Sequence, residues 1–128
     1  MILLDANIII HAFKPQYAYI LHLLDIEGRD LGCSDIVRLE VMGFRNLLTT
    51  EKTKLDEFFA DLTVLPIDSK IIDLAIKIRQ QKPIACPDSI IAATSMQYKS
   101  RLWTNNVKDF GWIKGLDWHD PITAGSAQ

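Results

Sequence analysis

Three acidic residues in apolar surroundings, Asp5, Glu40 and Asp88, are the groups best placed to do chemistry. Asp5 ends the unbroken apolar run Ile2-Leu3-Leu4. Such a run suits a strand buried on both faces of a parallel sheet. The carboxylate then stands at the strand's C-terminal end, where open α/β sheets gather ligands. Glu40 has Ile36, Val37, Gly43 and Phe44 as its neighbours on a helix surface, so it falls within an apolar stripe. A carboxylate there is costly to ionise unless a cation or donor meets it. Asp88 opens the run Asp88-Ser89-Ile90-Ile91-Ala92-Ala93-Thr94 directly after Pro87. That is a helix first turn whose following residues are small enough to pack tightly on a sheet. Asn106 and Asp109 follow another short apolar run, Leu102-Trp103.

Each residue also has a plain structural use. A strand-end Asp caps a turn, Glu40 could pair with Arg38 or Arg45, and an Asp in a first helical turn favours the helix dipole. The chemistry lies in the combination. Carboxylates brought together raise one another's pKa unless hard cations sit between them. Mg²⁺ or Mn²⁺ with oxygen ligands suits such a set. A metal-activated water then attacks phosphorus in line, and no nucleophilic side chain is required.

The elements that must position these residues alternate along the chain. After Asp5, apolar residues at helical spacing predict a short helix over 6–13 and a second over 16–27, with Tyr17, Ile20, Leu21 and Leu24 inward. Gly28-Arg29-Asp30 breaks it, and a second strand follows over 31–33. Ser34-Asp35 reads as the start of the helix carrying Glu40. Thr49-Thr50 is expected to cap a helix over 51–60, with Leu55, Phe58 and Phe59 inward. A strand over 62–66 and a helix capped by Asp68 follow, the latter with Ile71, Ile72, Ala75, Ile76 and Ile78 inward and Pro83 ending it. The Asp88 helix leads to a strand over 101–104, and a last edge strand is expected over 115–118. Strands joined through helices imply a three-layer α/β/α fold with a central, mostly parallel sheet of four to five strands.

The chain has 128 residues, a length that suits one domain, expected over 1–122. The tail over 123–128 is small and polar and is expected to fray. A net charge of −2 neither advertises nor excludes nucleic-acid binding. No apolar run approaches the ~20 residues of a membrane helix. Asp5 interrupts the apolar start and no basic region precedes it, so a cytoplasmic protein is expected. Cys33 and Cys86 lack metal spacing and are expected to be buried thiols. His11, His22 and His119 have no ligand spacing, and Trp103, Trp112 and Trp118 suit packing better than base stacking. Lys82, Lys108 and Arg45 lie near the acidic segments in sequence. Asn7 suits tying down the turn after the first strand.

Four blocks carry a family resemblance: Asp5-Ala6-Asn7-Ile8, Val37-Arg38-Leu39-Glu40-Val41, Pro87-Asp88-Ser89-Ile90-Ile91-Ala92-Ala93-Thr94 and Thr104-Asn105-Asn106-Val107-Lys108-Asp109-Phe110. Together they resemble the PIN-domain ribonucleases, and among them the VapC-type toxins of toxin–antitoxin pairs. The resemblance implies a Mg²⁺-dependent endoribonuclease acting on RNA, often tRNA or rRNA, that dimerises and is inhibited by a cognate antitoxin protein. It matches Asp5, Glu40 and Asp88 to the three acids that ligate metal and activate water. At the fourth acidic position the choice between Asn106 and Asp109 stays open. Ala6 stands where relatives usually carry Thr or Ser, which removes a hydroxyl near the site. Phe44, Phe58 and Trp112 are candidates for an apolar dimer surface.

Two other readings use the same residues. A haloacid-dehalogenase-like phosphatase also begins from a strand-end Asp, but needs a second Asp where this chain has Asn7. A silent fold acting through partner binding would tolerate Ala6 and Asn106.

Overall fold

The computed structural model describes residues 1–27, 30–123 and 125–126. Strand β1 (Ile2–Leu4) runs into helix α1 (Ala6–Ala12), followed by a 3-10 turn (Pro15–Tyr17) and α2 (Ala18–Glu27). Then come β2 (Leu31–Ser34), α3 (Asp35–Met42), α4 (Thr49–Asp61) and β3 (Thr63–Leu65). Helices α5 (Ser69–Gln81) and α6 (Cys86–Gln97) precede β4 (Arg101–Trp103). The short α7 (Val107–Phe110), β5 (Trp118–Asp120) and β6 (Gly125–Ser126) complete the order.

The sheet order is β3-β2-β1-β4-β5-β6. The first five strands are mutually parallel, and β6 pairs antiparallel to β5. Ile2, Leu3 and Leu4 are all buried. Successive strand residues face opposite sides, so helices must cover both faces of the sheet. The chain steps outward from β1 to β3, then restarts on the other side of β1 with β4. The direction of winding therefore reverses between β1 and β4. Beyond the C-terminal ends of two such strands the connections diverge and leave a crevice.

Helix starts follow local chemistry. The Ser34 hydroxyl accepts from the Ile36 N–H at 3.3 Å, and the Asp68 carboxylate accepts from the Ile71 N–H at 2.9 Å. Thr49 and Thr50 do not cap α4; they lie inside its first turn, and the Glu51 carboxylate accepts from the Leu48 N–H at 3.0 Å. Helix α6 is buried nearly all round, from Ser89 and Ile91 through Ser95. Its hydroxyls are satisfied by carbonyls: Thr94 donates to Ile90 and Ser95 to Ser100, each at 2.7 Å.

Several expectations are corrected. The helix expected over 16–27 divides at Pro15–Tyr17, because proline starts a tight turn and offers no N–H. Gly28 and Arg29 of the expected break lie outside the described residues, as does the side chain of Leu24. The last parallel strand forms at Trp118–Asp120, not over 115–118, since Gly115 takes a left-handed turn at φ +88°. The tail does not simply fray: Gly125 and Ser126 pair with Asp120 and His119. On α5, Ile71, Ala75 and Ile78 are buried, whereas Ile72 and Ile76 are exposed on the adjoining face. Cys33 is buried, with its thiol pKa pushed up to about 12 by burial, but Cys86 is exposed. Of the three proposed surface aromatics only Phe44 is exposed; Phe58 and Trp112 pack partly against the core.

Candidate active site

The crevice between β1 and β4 is built from the first residues past each strand. Asp5 follows β1 and caps α1. One carboxylate oxygen accepts from the Ala6 N–H at 2.8 Å, and the other accepts from the Thr104 hydroxyl at 2.7 Å. Asp5 is buried, and burial raises its pKa against those two bonds; the nearby Asp109 charge pushes it further up. Thr104 follows β4, the parallel neighbour of β1, and is wholly buried. Sequence reading did not single it out. A lone hydroxyl directly after a buried strand was the available signal, yet its partner lay on another strand. Thr104 supplies a side-chain hydroxyl to the carboxylate, which the Ala6 side chain cannot.

The turn after β4 is held in turn. The Asn106 N–H donates to the Thr104 hydroxyl oxygen at 3.0 Å, and the Asn106 amide donates to Asp109 at 2.7 Å. Beside it, the Asn105 N–H reaches Asn7 at 3.4 Å, so Asn7 ties α1 to the β4 turn. The Asn105 amide donates to Asp120 at 3.0 Å. Asp120 is buried and also accepts from the Ile122 N–H and from the Thr123 N–H and hydroxyl. Burial alone would raise its pKa, but these donors outweigh that and lower it.

Glu40 and Asp88 arrive from α3 and α6. Burial, then the charges of Asp5 and Asp88, push Glu40 up to about 6. Asp88 is half-buried in the first turn of α6 and is also pushed up to about 6, by burial and then by Asp5 and Asp109. Glu40 does not lie inside the apolar stripe as expected. Val37 and Val41 are the buried residues of α3, while Glu40, Leu39 and Phe44 are exposed. The stripe is narrower than the spacing implied, which leaves Glu40 at its edge, within the field of the other acids.

Carboxylates from four separate segments therefore meet at one end of the sheet, and three of them, Asp5, Glu40 and Asp88, have raised pKa values. Among the described residues, no three Asp, Glu, His or Cys side chains stand as a ready-made ion cage. The donor set itself is all oxygen and mutually repelling, which is the chemistry a hard divalent cation relieves. The histidines stay outside it: His11 packs at a tilt against Tyr17, His119 packs edge-on against Trp103, and His22 is exposed. An apolar groove of about 380 Å³ lies between α1, α3 and α4, lined by Ile10, Phe13, Val41, Phe44, Leu47 and Leu55 together with Lys14 and Lys54.

Residues 2–110 match the model of the PIN domain. The chain belongs to the PIN-domain family. Proteins of this family are typically nucleases and generally metal-dependent. Among solved structures, this PIN domain is similar to a chain of a toxin–antitoxin complex from Klebsiella pneumoniae, at 26% identity and TM-score 0.76, covering 91% of this chain and 95% of that one. It is similar to a chain of VapBC-1 from nontypeable Haemophilus influenzae, at 27% identity and TM-score 0.76, covering 94% and 98%. It also resembles a chain of VapBC2 from Rickettsia felis bound to a promoter DNA fragment, at 25% identity and TM-score 0.77, covering 93% and 98%. No curated protein matches the chain. Among the described residues, no helix is long and apolar enough to cross a membrane.

Proposed function

We propose that this PIN domain is a metal-dependent endoribonuclease and the toxin of a toxin–antitoxin pair. The observation that carries the reading is the gathering of Asp5, Glu40, Asp88 and Asp109 at the β1/β4 crevice, where burial and neighbouring carboxylates raise the pKa values of Asp5, Glu40 and Asp88. Asp5, Glu40 and Asp88 are the metal ligands, and Asp109 takes the fourth acidic position. Asn106 serves as its tether, because its amide donates to the Asp109 carboxylate. When bound, Mg²⁺ or Mn²⁺ supplies a water of lowered pKa and offsets charge on the leaving oxygen. Thr104 and the Ala6 N–H hold Asp5 in one orientation, so that it need not reorganise as the ion and substrate arrive. A single strand or loop is the substrate, since a splayed backbone enters a carboxylate cleft more readily than an A-form duplex.

The partner we assign is a cognate antitoxin protein seated in the groove between α1, α3 and α4. Helix α3 carries Val41 of that groove as well as Glu40, so an occupant lies beside the acids. Lys14 and Lys54 suit acidic residues on it, and Glu51, which also lines the groove, suits a basic one. Homodimerisation and a cytoplasmic location belong to the same reading, with exposed Ile72 and Ile76 of α5 as the apolar surface between copies.

The test is cleavage of single-stranded RNA by purified protein. Activity should need Mg²⁺ or Mn²⁺, stop with EDTA, and be lost in Asp5→Asn and Asp88→Asn. Equal cutting by those variants and the parent would sink the assignment. Ala6 and Asn106 favour one second reading, a silent partner-binding fold. Calorimetry separates the two, because a silent site should take up neither Mg²⁺ nor Mn²⁺.

A further inference from the structure

We propose that Lys82 and Trp112 form a grip for the RNA strand on the Asp88 side of the crevice, a reading that rests on the ribonuclease assignment above. Lys82 closes α5 just ahead of the segment that presents Asp88. Trp112 follows α7, which presents Asp109. The Lys82 ammonium lies over the Trp112 indole, 5.5 Å from the ring centre. The pair thus bridges the two acid-bearing segments.

Three features point to a substrate contact. First, Lys82 is exposed and makes no ion pair among the described residues. Second, Trp112 is partly buried and packs against the core. A ring anchored this way loses little freedom when a base stacks on it. Third, the acids form a local anionic cluster on a chain of net charge −2, so a polyanionic strand needs a cation at the rim of the crevice. At 5.5 Å the ammonium sits near the outer limit of about 6 Å for attraction to a ring. It can move from the ring to a phosphate as a base takes its place. Stacking on an aromatic face tolerates any base, so the grip holds single-stranded RNA without reading its sequence.

The test measures binding apart from cleavage. Asp5→Asn protein is titrated with a fluorescein-labelled single-stranded RNA at several salt concentrations, alone and combined with each grip variant. Trp112→Leu should weaken binding about tenfold, whereas Trp112→Phe should stay within about threefold. Lys82→Gln should weaken binding and reduce the slope of log affinity against log salt by about 0.7. In the cleaving background the same substitutions should raise KM and leave kcat unchanged. A purely structural staple would instead lower the melting temperature and leave the salt slope alone; that result overturns the grip. Should Trp112→Leu fail to fold, Trp112→Phe and Lys82→Gln decide. Cleavage with unaltered affinity and salt slope in the variants refutes the grip alone. RNA binding that depends on both residues, without cleavage, refutes the ribonuclease reading and keeps the grip. No RNA binding at all refutes the grip as well.

Discussion

The Thr104 hydroxyl donates to the Asp5 carboxylate at 2.7 Å, joining residues 99 positions apart through adjacent parallel strands. Asp5 is buried, so this bond bears directly on its charge. Thr104→Val keeps the shape and removes the donor. The variant should lose about 1–3 kcal/mol of stability at neutral pH, from a buried carboxylate left short of a partner. Thr104→Ser should recover most of it. Urea melts of the three proteins check this, and parent-like stability of Thr104→Val would refute it.

Asn106 and Asp109 should separate by magnitude. Asp109 is the charge that reaches Asp5 and Asp88, and Asn106 only holds it. On the ribonuclease reading, Asn106→Ala should lower kcat by about 10–100-fold, the range for loss of an orienting partner. Asp109→Asn should cost more. The reverse order would assign the fourth position to Asn106.

Asp88 and Glu40 set a pH dependence with a definite sign. Their pKa values are raised to about 6 in the folded protein from 3.8 and 4.5. Between those limits the folded state holds protons that the unfolded chain releases. Stability from this source is therefore complete below the unfolded values and is lost as pH rises through about 6. In EDTA the melting temperature should fall across this window. Asp88→Asn should flatten the fall and add about 1 kcal/mol near neutral pH, after discounting for partial exposure. A bound divalent ion needs deprotonated ligands, so Mg²⁺ should stabilise more at higher pH. Thermal scans with and without Mg²⁺ across the window test both trends.

Asp120 works in the opposite direction. Its pKa is lowered by four donors, so its contribution is present above the ordinary carboxylate value and lost as pH falls. Asp120→Ala should cost about 2–3 kcal/mol near neutral pH, because buried donors lose a charged acceptor. The difference from the parent should shrink in acid. Denaturant melts at neutral and acid pH decide it.

The sequence by itself determined the elements and the list of acids. Apolar runs, the Ser34 and Asp68 caps and Pro87 are local signals, and a strand or helix start is largely a local event. Four dispersed blocks were enough to pick out Asp5, Glu40 and Asp88, and left the fourth position open between Asn106 and Asp109. Tertiary structure alone decided what each group faces. Ile71 and Ile72 are equally apolar, yet one is buried and the other exposed, because only neighbouring elements define which face is covered. Glu40 likewise moved from an inferred core stripe to its edge. Thr104, Asn105 and Asp120 showed no role because each finds its partner across strands that winding places side by side. Hydrogen bonds and mutual charge act over a few ångströms in space, and separation along the chain carries almost none of that information.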